Sequence, residues 1–112
     1  MVEVFHLNTL AKFHGNPGLL SHDDLKKIEQ VLSKADFNAV ALVSLEAGQE
    51  IPPHAEPNGV CFYVINGKGL FTVGSERVEL ASGDMMFAPA NEARGILSRE
   101  RLTLLGIHGT HE

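Results

Sequence analysis

The sequence predicts an all-β fold of the sandwich or barrel kind, and three observations carry that expectation. Short apolar runs recur about every 8–12 residues with turn signals between them. The turn signals are strong in the second half, where Asn66-Gly67 and Gly74-Ser75 separate runs of β-favouring residues. Finally, 11 Gly and 5 Pro stand against 1 Tyr and 0 Trp, the composition of a chain with many tight turns.

Taken in order, the N-terminal stretch holds an apolar arm (Val2, Val4, Phe5, Leu7) that is expected to lack a partner inside one barrel. Residues 21–32 carry a Ser21 cap, Asp23 and Asp24 in a first turn, and Leu25, Ile28 and Leu32 at helical spacing, so periodicity alone predicts a helix. Residues 39–45 (AVALVSL) form a buried-strand run that stops at Glu46-Ala47-Gly48. Residues 60–65 (VCFYVI) form the next strand and end at Asn66-Gly67; residues 69–73 return. After Gly74-Ser75, residues 76–80 alternate polar and apolar as a half-buried strand does. Shorter runs at 85–88, 95–97 and 102–107 complete the pattern.

Composition excludes several classes of function. There are 14 acidic against 9 basic side chains, a formal charge of -5, which disfavours nucleic acid as a partner. No apolar run approaches the ~20 residues of a membrane span, and residues 1–15 lack the apolar core of a signal peptide, so the expectation is no membrane and a cytoplasmic location. With 1 Cys, neither an internal disulfide nor a cysteine-based metal site can form. Cys61 reads as a small packed hydrophobe, since its strand offers no base to generate a thiolate.

Gly48 and His54 are separated by five residues, Gly67 closes the strand that follows, and Gly83 and Pro89 are again separated by five, with one hairpin between the two segments. This Gly, His and Pro skeleton resembles the two motif segments of the cupin superfamily. The resemblance covers about residues 27–108 and implies one domain over residues 1–112, an N-terminal arm at 1–26 and a jelly-roll (double-stranded β-helix) barrel. It also implies a strand at 27–32 that turns at 33–36 into the strand of 37–45. That reading is preferred over the helical periodicity, with a short helical turn allowed at 22–26.

In cupins three His and one Glu from these segments converge on a metal. Residue by residue, the resemblance puts His54 at the first ligand position and Glu56 at the second. Val60, or Cys61 if the loop is one residue longer, replaces the Glu. Arg94, five residues after Pro89, replaces the last His; Asn91 and Ser98 replace a Gly and an Asn. A guanidinium keeps its proton and repels metal ions, so no tightly bound metal or other cofactor is expected; a divalent metal, if bound, would rest on His54 and Glu56. Glu56 and Arg94 either pair in the vacated space, or Arg94 turns out along the rim and is solvated.

If His54 and Glu56 face inward, alternation turns Val60, Phe62 and Val64 inward too, and Cys61, Tyr63 and Ile65 outward. His108 ends the last strand and reaches the barrel mouth, whereas His6, His14, His22 and His111 read as surface or packing residues. Met85, Met86, Phe87 and Phe71 read as core filler. The expected ligand-binding set is therefore His54, Glu56, Arg94, Phe62 and His108, holding a small, anionic molecule in a homodimeric barrel. The alternatives are a cupin enzyme using His54 and Glu56, either a metal-dependent dioxygenase or an isomerase with one of them as general base, and a structural role through dimerisation alone. Fold does not choose among them.

Overall fold

The computed structural model describes residues 4–15, 17–32 and 40–109. Their elements run α1 (Leu7–Leu10), β1 (Gly18–Leu19), α2 (His22–Ile28), β2 (Glu29–Val31), β3 (Val40–Leu45), β4 (Gln49–Ala55), β5 (Val60–Asn66), β6 (Lys68–Val73), β7 (Glu76–Ala81), β8 (Met85–Ala88), β9 (Ala93–Ser98) and β10 (Leu102–His108). The chain is mostly β, as the turn spacing predicts. Gly67 shows why the β5–β6 turn needs glycine: its φ is 93°, and a Cβ there would run into the Arg101 backbone.

Two five-stranded sheets form, in the orders β1-β4-β9-β6-β7 and β2-β3-β10-β5-β8. Sequence neighbours β3 and β4 lie in different sheets, as do β4 and β5, so the chain crosses repeatedly between them, the habit of a jelly roll. The inward residues of both sheets interdigitate, with Leu45, Val64, Phe71, Leu102 and Leu104 fully buried. Phe62 and Phe71 pack with ring centroids 5.6 Å apart and planes tilted by 48°. Val60, Phe62 and Val64 face this core, while Tyr63 is exposed on the outer side, following the expected alternation.

Residues 21–32 depart from both sequence readings. The helix extends to Ile28, past the single turn allowed at 22–26, and the strand is confined to Glu29–Val31 instead of spanning 27–32. A capping box starts the helix: Ser21 Oγ accepts from the Asp24 N–H at 3.2 Å, and Asp24 Oδ2 accepts from the Ser21 N–H at 3.0 Å. Burial carries it to Ile28, which is 1% exposed. Beyond that point the edge of β3 offers a ladder, and Glu29, Gln30 and Val31 pair antiparallel with Val43, Leu42 and Ala41. Pairing with a distant strand overrides the helical spacing of Leu32. The turn expected at 33–36 lies outside the described residues.

After the apolar start of the N-terminal arm, Phe13, His14 and Gly18 to Leu20 find partners on their own barrel. β1 runs parallel to β4, and Leu20, 6% exposed, donates its N–H to the Glu50 carbonyl at 2.8 Å. Arg101 stacks 4.2 Å above the Phe13 ring while its guanidinium grips Glu46 with two 2.9 Å hydrogen bonds. Gln49, buried in β4, donates to the His14 carbonyl. Val4 and Phe5 remain exposed, and Val2 lies outside the described residues. No helix among the described residues is long and apolar enough to cross a membrane.

Met85 and Phe87 likewise are not core filler. They are 65% and 61% exposed, whereas Phe71 is fully buried and Met86 packs against the core. The reason is the pleat: on β8, Met86 and Ala88 take the inner face, which leaves Met85 and Phe87 on the outer one.

Candidate functional site

The site is made by an irregularity in β4. Ile51 opposes Ile96 and His54 opposes Arg94, so Pro52 and Pro53 together face the single residue Gly95. This is a β-bulge, and two prolines suit it because they bring no N–H that the ladder would leave unpaired. A side chain on Gly95 would meet Pro53 N at 2.8 Å and Ile51 O at 2.9 Å. In a regular strand Ile51 and His54 would face opposite ways; the extra residue restores them to one side.

As a result Ile51, His54 and Glu56 line one cavity of about 180 Å³. Val60 and Phe62 from β5, Arg94 and Ile96 from β9, His108 from β10 and Val43 from β3 face it as well, and Leu25 and Glu29 close it on the α2 side. All five residues expected from the sequence thus share one cavity. Leu25, Glu29, Val43, Ile51 and Ile96 were not singled out. Alternation could have placed Val43 and Ile96, but Leu25 and Glu29 depend on where α2 docks. A more open hollow beside it shares Leu25, Glu29, His54 and Glu56 and adds Lys26.

Arg94 is 3% exposed. Its Nη1 donates to the Asn58 carbonyl at 2.8 Å, Nη2 to Pro89 at 2.7 Å and Nε to Glu92 at 3.2 Å. Both expectations for this residue are corrected: it neither pairs with Glu56 nor turns into solvent. The turns after β4 and β8 aim three carbonyls at it instead, and Asn91, with a left-handed φ of 68°, joins them by donating its N–H to the Glu56 carbonyl at 2.7 Å. Three of five guanidinium N–H groups are used, and among the described residues no carboxylate reaches them.

His54 and Glu56 sit at the open side, with Nε2 and Oε1 3.5 Å apart and side chains 45% and 47% exposed. His54 Nδ1 lies 3.1 Å from the Pro52 carbonyl. The Arg101 guanidinium holds the Glu46 carboxyl below its usual range, Arg99 and Lys68 do the same for Glu79, and bonds from Ser21 do so for Asp24.

The metal that the resemblance implies does not fit these residues. Among the described residues no three His, Cys, Asp or Glu side chains gather closely enough to hold an ion. The position that would supply the last ligand carries a buried cation, which cannot donate a lone pair.

The sequence model of the Cupin domain family matches residues 41–107. No curated protein matches. Among solved structures, a conserved protein of unknown function from Streptococcus pyogenes superposes with a TM-score of 0.78 at 20% identity, covering 100% of this chain and 90% of that one. An uncharacterized conserved protein with a double-stranded beta-helix domain from Klebsiella pneumoniae gives 0.79 at 18% identity over 97% of this chain and 90% of its own. TT1209 from Thermus thermophilus gives 0.77 at 23% identity over 99% and 100%. At these identities the likeness concerns the fold.

Proposed function

The chain belongs to the Cupin domain family, and from that premise we propose that it binds a small molecule in the β4–β9 cavity, with Arg94 anchoring an anionic group. One observation carries this reading: Arg94 is a buried cation with no carboxylate partner among the described residues. Neutral carbonyls compensate a buried charge only in part. Two remaining N–H donors can grip a carboxylate in the planar, charge-assisted manner that guanidinium favours. The aliphatic and aromatic walls exclude water and strengthen that contact.

A thermal-shift screen of small carboxylates, sugars and neutral aromatics on the wild type and on Arg94→Ala tests this. Carboxylates raise the Tm of the wild type and not of the variant. Equal responses in both, or none in either, overturn the reading. The second reading, a metal-independent proton transfer, is favoured by the closeness of His54 and Glu56 at the cavity's open side. It requires a captured ligand with an acidic C–H within reach of His54.

The outer face of the β2-β3-β10-β5-β8 sheet supports a homodimer. Two rows cross four strands without a charge: Phe87, Cys61, Ile107 and Val40, then Met85, Tyr63, Leu105 and Leu42. Met85, Phe87, Tyr63 and Ile107 are the exposed members. Met85 and Phe87, 65% and 61% exposed, head the two rows, and the half-buried Cys61 and Leu105 continue them. A chain with a formal charge of -5 repels its own copies except across such an uncharged face.

A further inference from the structure

The charges around the cavity do not suit an anion alone. Glu29 and Glu56 both line it, and Lys26 joins only at the outer hollow. A simple anion that reaches Arg94 therefore passes two carboxylates, and a dianion is repelled twice. Glu56 is held at His54 Nε2, and His54 is the direct strand partner of Arg94. Separate positive and negative groups therefore stand on neighbouring positions of one wall, with apolar side chains behind them.

We propose that the ligand is a small zwitterion with an apolar body, of the size and chemistry of an aliphatic amino acid. Its carboxylate meets the free donors of Arg94, its ammonium faces Glu56 and Glu29, and its side chain packs among Val43, Ile51, Phe62 and Ile96. The volume agrees: about 180 Å³ is well below the space that drug-sized ligands occupy and sufficient for a molecule of this class. A zwitterion also satisfies both signs at once, so neither Arg94 nor Glu56 is desolvated without an opposite charge. This inference rests on the Arg94 anchor proposed above.

Three probes of one carbon skeleton separate the claims. Leucine carries both charges, 4-methylpentanoate the carboxylate only and 3-methylbutylamine the ammonium only. By calorimetric titration of the full chain, leucine is expected to bind roughly three- to tenfold more tightly than 4-methylpentanoate, with 3-methylbutylamine weakest. In Glu56→Gln, which keeps the side-chain shape, that ratio falls toward one. If 4-methylpentanoate binds as tightly as leucine, or if Glu56→Gln leaves the ratio unchanged, the zwitterion is overturned while the anion anchor stands. If neither carboxylate-bearing probe binds, both fall together. If 3-methylbutylamine binds most tightly, the anchor is Glu56 and not Arg94, which also overturns both.

Discussion

Arg94 is a buried cation in the cavity wall. It also ties the turn after β4 to the turn after β8 through three carbonyls. Arg94→Met should therefore have two effects: it removes the response to carboxylates and strands carbonyls that had a charged donor. A loss of about 1–3 kcal/mol in urea denaturation is expected from the second effect; unchanged stability would show that water replaces the guanidinium at no cost. On the far side of the barrel, the bidentate Arg101–Glu46 pair gives a pH signature. Glu46 titrates below its usual range when folded, so its contribution is present above the unfolded pKa and is lost as pH falls through the depressed folded value. The Tm difference between wild type and Glu46→Gln should accordingly be largest at neutral pH and shrink on acidification. A difference that grew toward acid would contradict the pairing.

At the level of elements, α2 and the β4 bulge set the walls of the cavity. Ser21→Ala removes one half of the capping box and should destabilise the protein by about 1 kcal/mol, with faster amide exchange over residues 22–28. Leu25 and Glu29 flank the cavity at the end of that helix, so ligand affinity should fall with it. Gly95→Ala pushes a methyl group into the backbone of the bulge, and overpacking of this kind costs about 1–3 kcal/mol. The same substitution displaces His54 from the cavity wall. Its effect on binding should therefore exceed that of an equally destabilising change on β7, at the far edge of the same sheet. Equal effects would mean the bulge matters only for stability.

For the whole molecule, the uncharged outer sheet face predicts association. Sedimentation at micromolar concentration should give a dimer, and Phe87→Lys or Met85→Lys, each placing a charge in the exposed rows, should give a folded monomer. A wild type that sediments as a monomer overturns the homodimer. Val4 and Phe5 of the N-terminal arm are also exposed, while Gly18 and Leu19 pair with β4 of the same chain.

Much of the fold was legible because its signals are local. Asn66-Gly67 turns a hairpin through backbone sterics at that dipeptide, and the inward set Val60, Phe62, Val64 follows from a pleat of period two. The resemblance to the cupin motifs likewise named His54, Glu56 and Arg94, which line one cavity in the structure. What the sequence left open depends on contacts between distant residues. The end of α2 is decided by a ladder on β3, the docking of the arm by β4 and Arg101, and the parity of His54 by a bulge against Gly95. The partners of Arg94 are carbonyls of Asn58, Pro89 and Glu92, main-chain groups that every residue possesses and that no residue type announces. Side-chain identity determined which residues came to the cavity, and only the tertiary path of the backbone decided what they met there.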